Sequence, residues 1–90
     1  MGIKINIDKS VLLDDSKGNV VLTVSGNTVG DCLAYAVKHQ PNLKKALLEE
    51  NCNLRYGNLV RVNGEFIPTD PLDKQVKDGD EIGVINLSGG

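Results

Sequence analysis

One stretch of this chain repeats its apolar residues with the period of a long helix, and that restricts the folds open to it. Val29, Cys32, Leu33, Ala36 and Val37 fall at i, i+3, i+4, i+7 and i+8 and form one stripe, with Asp31 and Lys38 off it. Thr28 stands where an N-cap belongs, and Asp31 follows as a weaker form of the capping box. Such a stripe must cover a flat apolar surface, and the rest of the chain supplies one as strands. Ile3, Ile5 and Ile7 alternate with Lys4 and Asn6, the period of a strand with one buried face. A polar turn over residues 14–19 leads to the β-branched run 20–24, which makes a first hairpin. Asn63-Gly64 joins two further extended arms, because both residues tolerate the positive φ of a type I′ turn.

Before these arms, Pro41 ends the helix and starts a short second one. It supplies Leu43, Ala46, Leu47 and Leu48 before Glu49, Glu50 and Asn51 close it. Pro68 and Pro71 exclude regular pairing, which leaves Leu72 and Val76 to plug the core from a loop. Asp78-Gly79-Asp80 forms a turn and residues 82–87 the last strand. The order is strand, strand, helix, strand, short strand, strand. It predicts an α+β fold, a sheet of four to five strands with one main helix packed across one face.

Ninety residues allow one core and one domain, 1–90. Net charge is −2, the basic residues are scattered, and there is no tryptophan, so nothing indicates a nucleic-acid partner. No apolar run approaches the roughly 20 residues that cross a bilayer, and residues 1–8 do not read as a secretory leader. The expectation is a cytoplasmic protein without a membrane partner. Cys32 and Cys52 have neither metal-ligand nor redox spacing and are expected to be reduced thiols, Cys32 in the core.

Catalytic machinery is missing from the pattern. His39 is the only histidine and sits near the end of the helix, where it complements the dipole. The acidic pairs Asp14-Asp15, Glu49-Glu50 and Asp78/Asp80 fall in turns or at a helix end, where carboxylates are solvated. Gly26 and Gly30 flank a strand-to-helix junction without the spacing or the lysine of a phosphate loop. What is distinctive is the ending, Gly89-Gly90. With no side chain within two residues of its carboxylate, such a tail can thread a channel too narrow for any Cβ. In the last strand, alternation sends Ile82 and Val84 to the core. It leaves Ile85 and Leu87 on the open face beside Lys4, Asn6 and Arg61, an apolar patch with a polar rim that suits docking.

Thr28-Val29-Gly30-Asp31 at the helix start, Val62-Asn63-Gly64 in the hairpin, Leu72 before Lys77-Asp78-Gly79-Asp80-Glu81, and Gly89-Gly90 come in an order that resembles the ubiquitin-like sulfur carriers. That family includes the molybdopterin synthase small subunit, the thiamine sulfur carrier and the carrier of a cysteine-forming pathway. The resemblance implies a β-grasp fold with a mixed sheet and a reactive tail, 86–90. It further implies that a ubiquitin-activating-enzyme-like adenylyltransferase uses ATP to activate the Gly90 carboxylate, which becomes a thiocarboxylate and passes sulfur to a synthase. Ser88, Gly89, Leu87, Ile85 and Arg61 are then the residues the activating enzyme recognises. The carrier itself needs no cofactor, since nucleotide and metal belong to the partner. The segment 84–88 lacks the prolines and aromatics common in the molybdopterin branch, which weakens that assignment.

Two other readings share this fold. The Gly90 carboxyl could instead be joined to lysines of target proteins, or the chain could be a β-grasp interaction module with an incidental ending. None of the three makes the chain an enzyme, and a free monomer is the default for each.

Overall fold

The structure is a computed structural model in which residues 2–12, 18–51 and 53–87 are described. In chain order the elements are β1 (Ile3–Ile7), β2 (Val20–Val24), α1 (Val29–His39), α2 (Lys44–Leu47), β3 (Asn58–Val62), β4 (Glu65–Phe66) and β5 (Glu81–Asn86). The five strands form one sheet in the order β2-β1-β5-β3-β4. β1 and β5 run parallel at its centre, and the remaining pairs are antiparallel. This is the mixed β-grasp sheet expected from the motifs.

Register follows from the alternation. Ile5 pairs with Ile82 and Ile7 with Val84 across the parallel pair, while Val84 and Ile82 pair with Val60 and Val62 on the other side. All of these side chains point to one face and are buried. Slipping either strand by one residue would turn the whole set into solvent, so the hydrophobic pattern holds the register.

The α1 stripe covers that face. Val29, Cys32, Leu33 and Ala36 are buried, and Val37 packs at the margin. A helix of this length is marginal alone in water, so burial against the sheet holds it. Its start is capped as anticipated: Thr28 Oγ1 accepts from the Asp31 N–H at 3.1 Å. The Asp31 carboxylate accepts from the N–H of Asn27, one residue before the cap, at 3.2 Å. Gly30 lets α1 approach the turn at Pro71–Asp73, because a Cβ there would lie 3.1 Å from the Leu72 carbonyl oxygen. The β3–β4 turn has Asn63 at φ 52° and Gly64 at φ 83°, as a type I′ turn demands.

Two boundaries differ from the sequence expectation. Pro41–Leu43 forms a 3-10 turn, and α2 ends at Leu47; Leu48 is already extended and bridges to Leu54. A helix this short has too few internal hydrogen bonds to propagate past its buried contacts, Leu43, Ala46 and Leu47. β5 ends at Asn86, so the tail does not begin at residue 86: Asn86 belongs to the sheet, and the Leu87 N–H donates to the Gly57 carbonyl at 3.1 Å. Val76 is buried and Leu72 packs on the core from the irregular segment, as anticipated.

Candidate functional site

The candidate site lies where β5 ends at Asn86, four residues before the end of the sequence. Strand alternation that turns Ile82 and Val84 inward also turns Asn86 inward, and Asn86 is only 7% exposed. A buried amide must find partners. Asn86 Nδ2 donates to Asn58 Oδ1 at 2.7 Å, and Asn58 is its register partner on β3. Asn58 in turn donates from Nδ2 to the Ala46 carbonyl at 2.9 Å and to that of Leu47 at 3.3 Å. Both carbonyls lie at the end of α2, where no further helical turn can satisfy them, and that of Leu47 also accepts from the Arg55 N–H at 2.9 Å.

On the other side, the Asn86 N–H donates to Ser10 Oγ at 3.0 Å, and the Ser10 N–H donates to the Asp8 carboxylate at 2.9 Å. Hydrogen bonds from the Ser10 hydroxyl and backbone hold the Asp8 carboxyl below the usual carboxylate range. The root of the tail is therefore tied to the segment after β1, to the end of α2 and to the start of β3. Sequence reading missed Asn58, Asn86 and Ser10 as a group. Asn86 did carry a signal, since an amide two residues after Val84 on the inward face requires a buried partner.

The opposite face of the sheet is open. Ile85 is half-buried there and pairs with Leu59, while Arg61 is exposed and lies between Gly83 and Phe66. Leu87 is 72% exposed just past the strand, and Tyr56, next to the Gly57 that anchors it, is 83% exposed. Lys4, Asn6 and Asp8 line the same face from β1 and the residue after it. The structure thus brings Ile85 and Arg61 onto one side of the sheet, and leaves Leu87 exposed just past the end of the strand. Ser88, Gly89 and Gly90, also expected at the site, lie outside the described residues, as does Cys52.

Cys32 is a free thiol buried under α1, and burial, with a smaller push from Asp31, raises it to about 11. It is protonated at neutral pH and not a nucleophile. His39 is exposed and stacks obliquely on Tyr35, ring centroids 4.3 Å apart. Among the described residues no group of three or more His, Cys, Asp or Glu is placed to hold a metal ion. No described helix is long and apolar enough to cross a membrane.

The turn motifs that order the other end of β5 have a shared cause. Asn63 Nδ2 donates to Asp80 Oδ1 at 3.0 Å, the Lys77 N–H donates to Asp80 Oδ2 at 2.9 Å, and the Glu81 N–H donates to Asn63 Oδ1 at 2.9 Å. The Asn-Gly hairpin and the Asp-Gly-Asp turn are thus latched to each other as β5 begins. The sequence profile of the ThiS family matches residues 13–90, a span that takes in both the latch at the start of β5 and the polar tie at its end.

The chain belongs to the ThiS family.

ThiS-family proteins are small ubiquitin-like sulfur carriers, not enzymes. Solved structures agree with this placement. SAMP1 from Haloferax volcanii superposes with a TM-score of 0.72 at 26% identity, over 98% of this chain and 98% of that one. The small archaeal modifier protein 1 from Methanosarcina acetivorans gives 0.75 at 25% identity, over 98% and 95%. The Amycolatopsis orientalis BexX/CysO complex contains a chain of the same fold, with a TM-score of 0.71 at 23% identity over 91% and 93%. No match was found among curated proteins.

Proposed function

We propose that this ThiS-family chain carries sulfur on its Gly90 carboxylate. An adenylyltransferase of the ubiquitin-activating-enzyme type would bind the tail through Ile85, Arg61, Leu87, Ser88 and Gly89. The carboxylate oxygen attacks the α-phosphorus of ATP, pyrophosphate leaves, and the mixed anhydride is formed. A sulfur nucleophile then attacks the acyl carbon and expels AMP, which leaves a thiocarboxylate that a synthase consumes. The chemistry needs this order because a carboxylate alone is a poor electrophile and adenylate a good leaving group. ATP and any metal belong to the enzyme, and the reaction is placed in the cytoplasm.

The observation that carries this reading is the family match running through Gly89-Gly90 to the last residue. Incubation with the cognate activating enzyme, ATP and a sulfur source, followed by intact-mass spectrometry, tests it. The expected product has one oxygen replaced by sulfur, with the change mapping to Gly90. A chain that stays at its starting mass, with no adenylate trapped, rejects the reading. A second reading, attachment through Gly90 to lysines of other proteins, is favoured by the likeness to the Methanosarcina acetivorans protein, which is named as a modifier. A ladder of covalent conjugates on denaturing blots would support it.

A further inference from the structure

Glycine is a poor choice for the inside of a strand, since it loses the most backbone freedom on folding and brings no side chain to pack. Gly83 nevertheless occupies the middle of β5, which lies between β1 and β3. Its own geometry does not require it. Its φ is not in the positive range, and a Cβ built there would meet nothing closer than Arg61 Cβ at 3.9 Å, an ordinary contact. A β-branched residue would suit the strand better.

The missing side chain leaves a notch of about 230 Å³ on the open face of the sheet. Gly83 is flanked by its register partners Asn6 and Arg61, and Asp8, Glu81 and Ile85 complete the surroundings. A separate observation concerns the same place. Asn6 Oδ1 is shielded from solvent and has no hydrogen-bond partner among the described residues. The terminal torsion of asparagine is broad and two-fold, so a half-turn of the amide swings an acceptor toward an incoming donor. The lining itself holds two carboxylates and this amide oxygen against one cation, Arg61; Lys4, the register partner of Glu81, stands on the same face outside the lining.

We propose that the notch over Gly83 receives a basic side chain, lysine or arginine, from the enzyme that activates the tail. The proposal rests on the sulfur-carrier reading. The partner is chosen by position: four residue steps lead from Gly83 to Leu87, about 13 Å at the usual rise. An enzyme that holds the tail lies over this face. The apolar stem of the incoming side chain packs on Ile85, and its charged head reaches Asn6, Asp8 and Glu81.

Gly83→Val blocks the floor of the notch with a residue that favours strands, and its thermal midpoint should equal or exceed that of the wild type. In ATP-dependent activation by the cognate enzyme, KM for this variant should rise about tenfold or more, with kcat within about twofold. Glu81→Gln should raise KM less and flatten its dependence on salt. Wild-type KM in Gly83→Val overturns the proposal while leaving the carrier reading intact. A KM effect in Gly83→Val without any change in the salt dependence of Glu81→Gln also overturns it, since the occupant would then be uncharged. A dimer in sedimentation that Gly83→Val abolishes would assign the notch to a second copy instead. If the wild type is not activated at all, the carrier reading fails and the proposal falls with it.

Discussion

Removing the Asn86 side chain tests whether the polar tie at the tail root is a structural necessity. In Asn86→Ala, Asn58 Oδ1 loses the donor that sits 2.7 Å away, in a residue that is 6% exposed. A buried acceptor left unpaired costs about 1–3 kcal/mol, and the Asn86 N–H to Ser10 bond survives because it is backbone. At roughly 4–8 °C per kcal/mol for a domain of this size, about 2 kcal/mol lowers the thermal midpoint by about 10 °C. Urea unfolding should show the same loss as a lower midpoint with an unchanged slope. The double variant Asn58→Ala/Asn86→Ala should cost less than the sum of its singles by about 1 kcal/mol, because it no longer contains the orphaned acceptor. Strict additivity, or a loss below about 0.5 kcal/mol in Asn86→Ala, would refute the reasoning.

Other consequences concern acid and thiol chemistry. Hydrogen bonds from Asn63 and the Lys77 N–H hold the Asp80 carboxyl below its ordinary 3.8. A depressed folded value means a stabilisation present above 3.8 and lost as the pH falls through the lower folded value. Urea midpoints of Asp80→Asn should therefore depend less on pH below 3.8 than those of the wild type, and parallel profiles would sink the latch argument. Cys32, buried and raised to about 11, should resist alkylation in the native protein at neutral pH and react on unfolding. Fast labelling mapped to Cys32 in the folded chain would contradict its placement.

Much of the architecture is legible in the residues. The isoleucine alternation of β1, the stripe of α1, Thr28 as cap and Asn63-Gly64 as turn are local signals, each set by a period or by a preferred φ, and the structure realises all of them. The shared face of Ile85 and Arg61 was legible for the same reason, since period two assigns faces before any partner strand is known. The extent of α2 was not, because Leu48 has the apolarity of a helix contact and only the bridge to Leu54 draws it into extended backbone.

Nor could the tail root be read locally. Asn58 and Asn86 are far apart in sequence, and their 2.7 Å bond exists only because β3 and β5 are paired in this register. The start of the free tail is a tertiary quantity too: the Leu87 N–H is held by Gly57, a residue no local pattern connects to it. Gly83 shows the same division. The sequence puts a glycine in a strand, but the notch over it is made by Asn6 and Arg61 from two other strands. Periodicity determined which face each residue takes, because side-chain direction is a property of the backbone step. Which residues meet across the sheet, and where the chain is released from it, was decided by the pairing of distant strands.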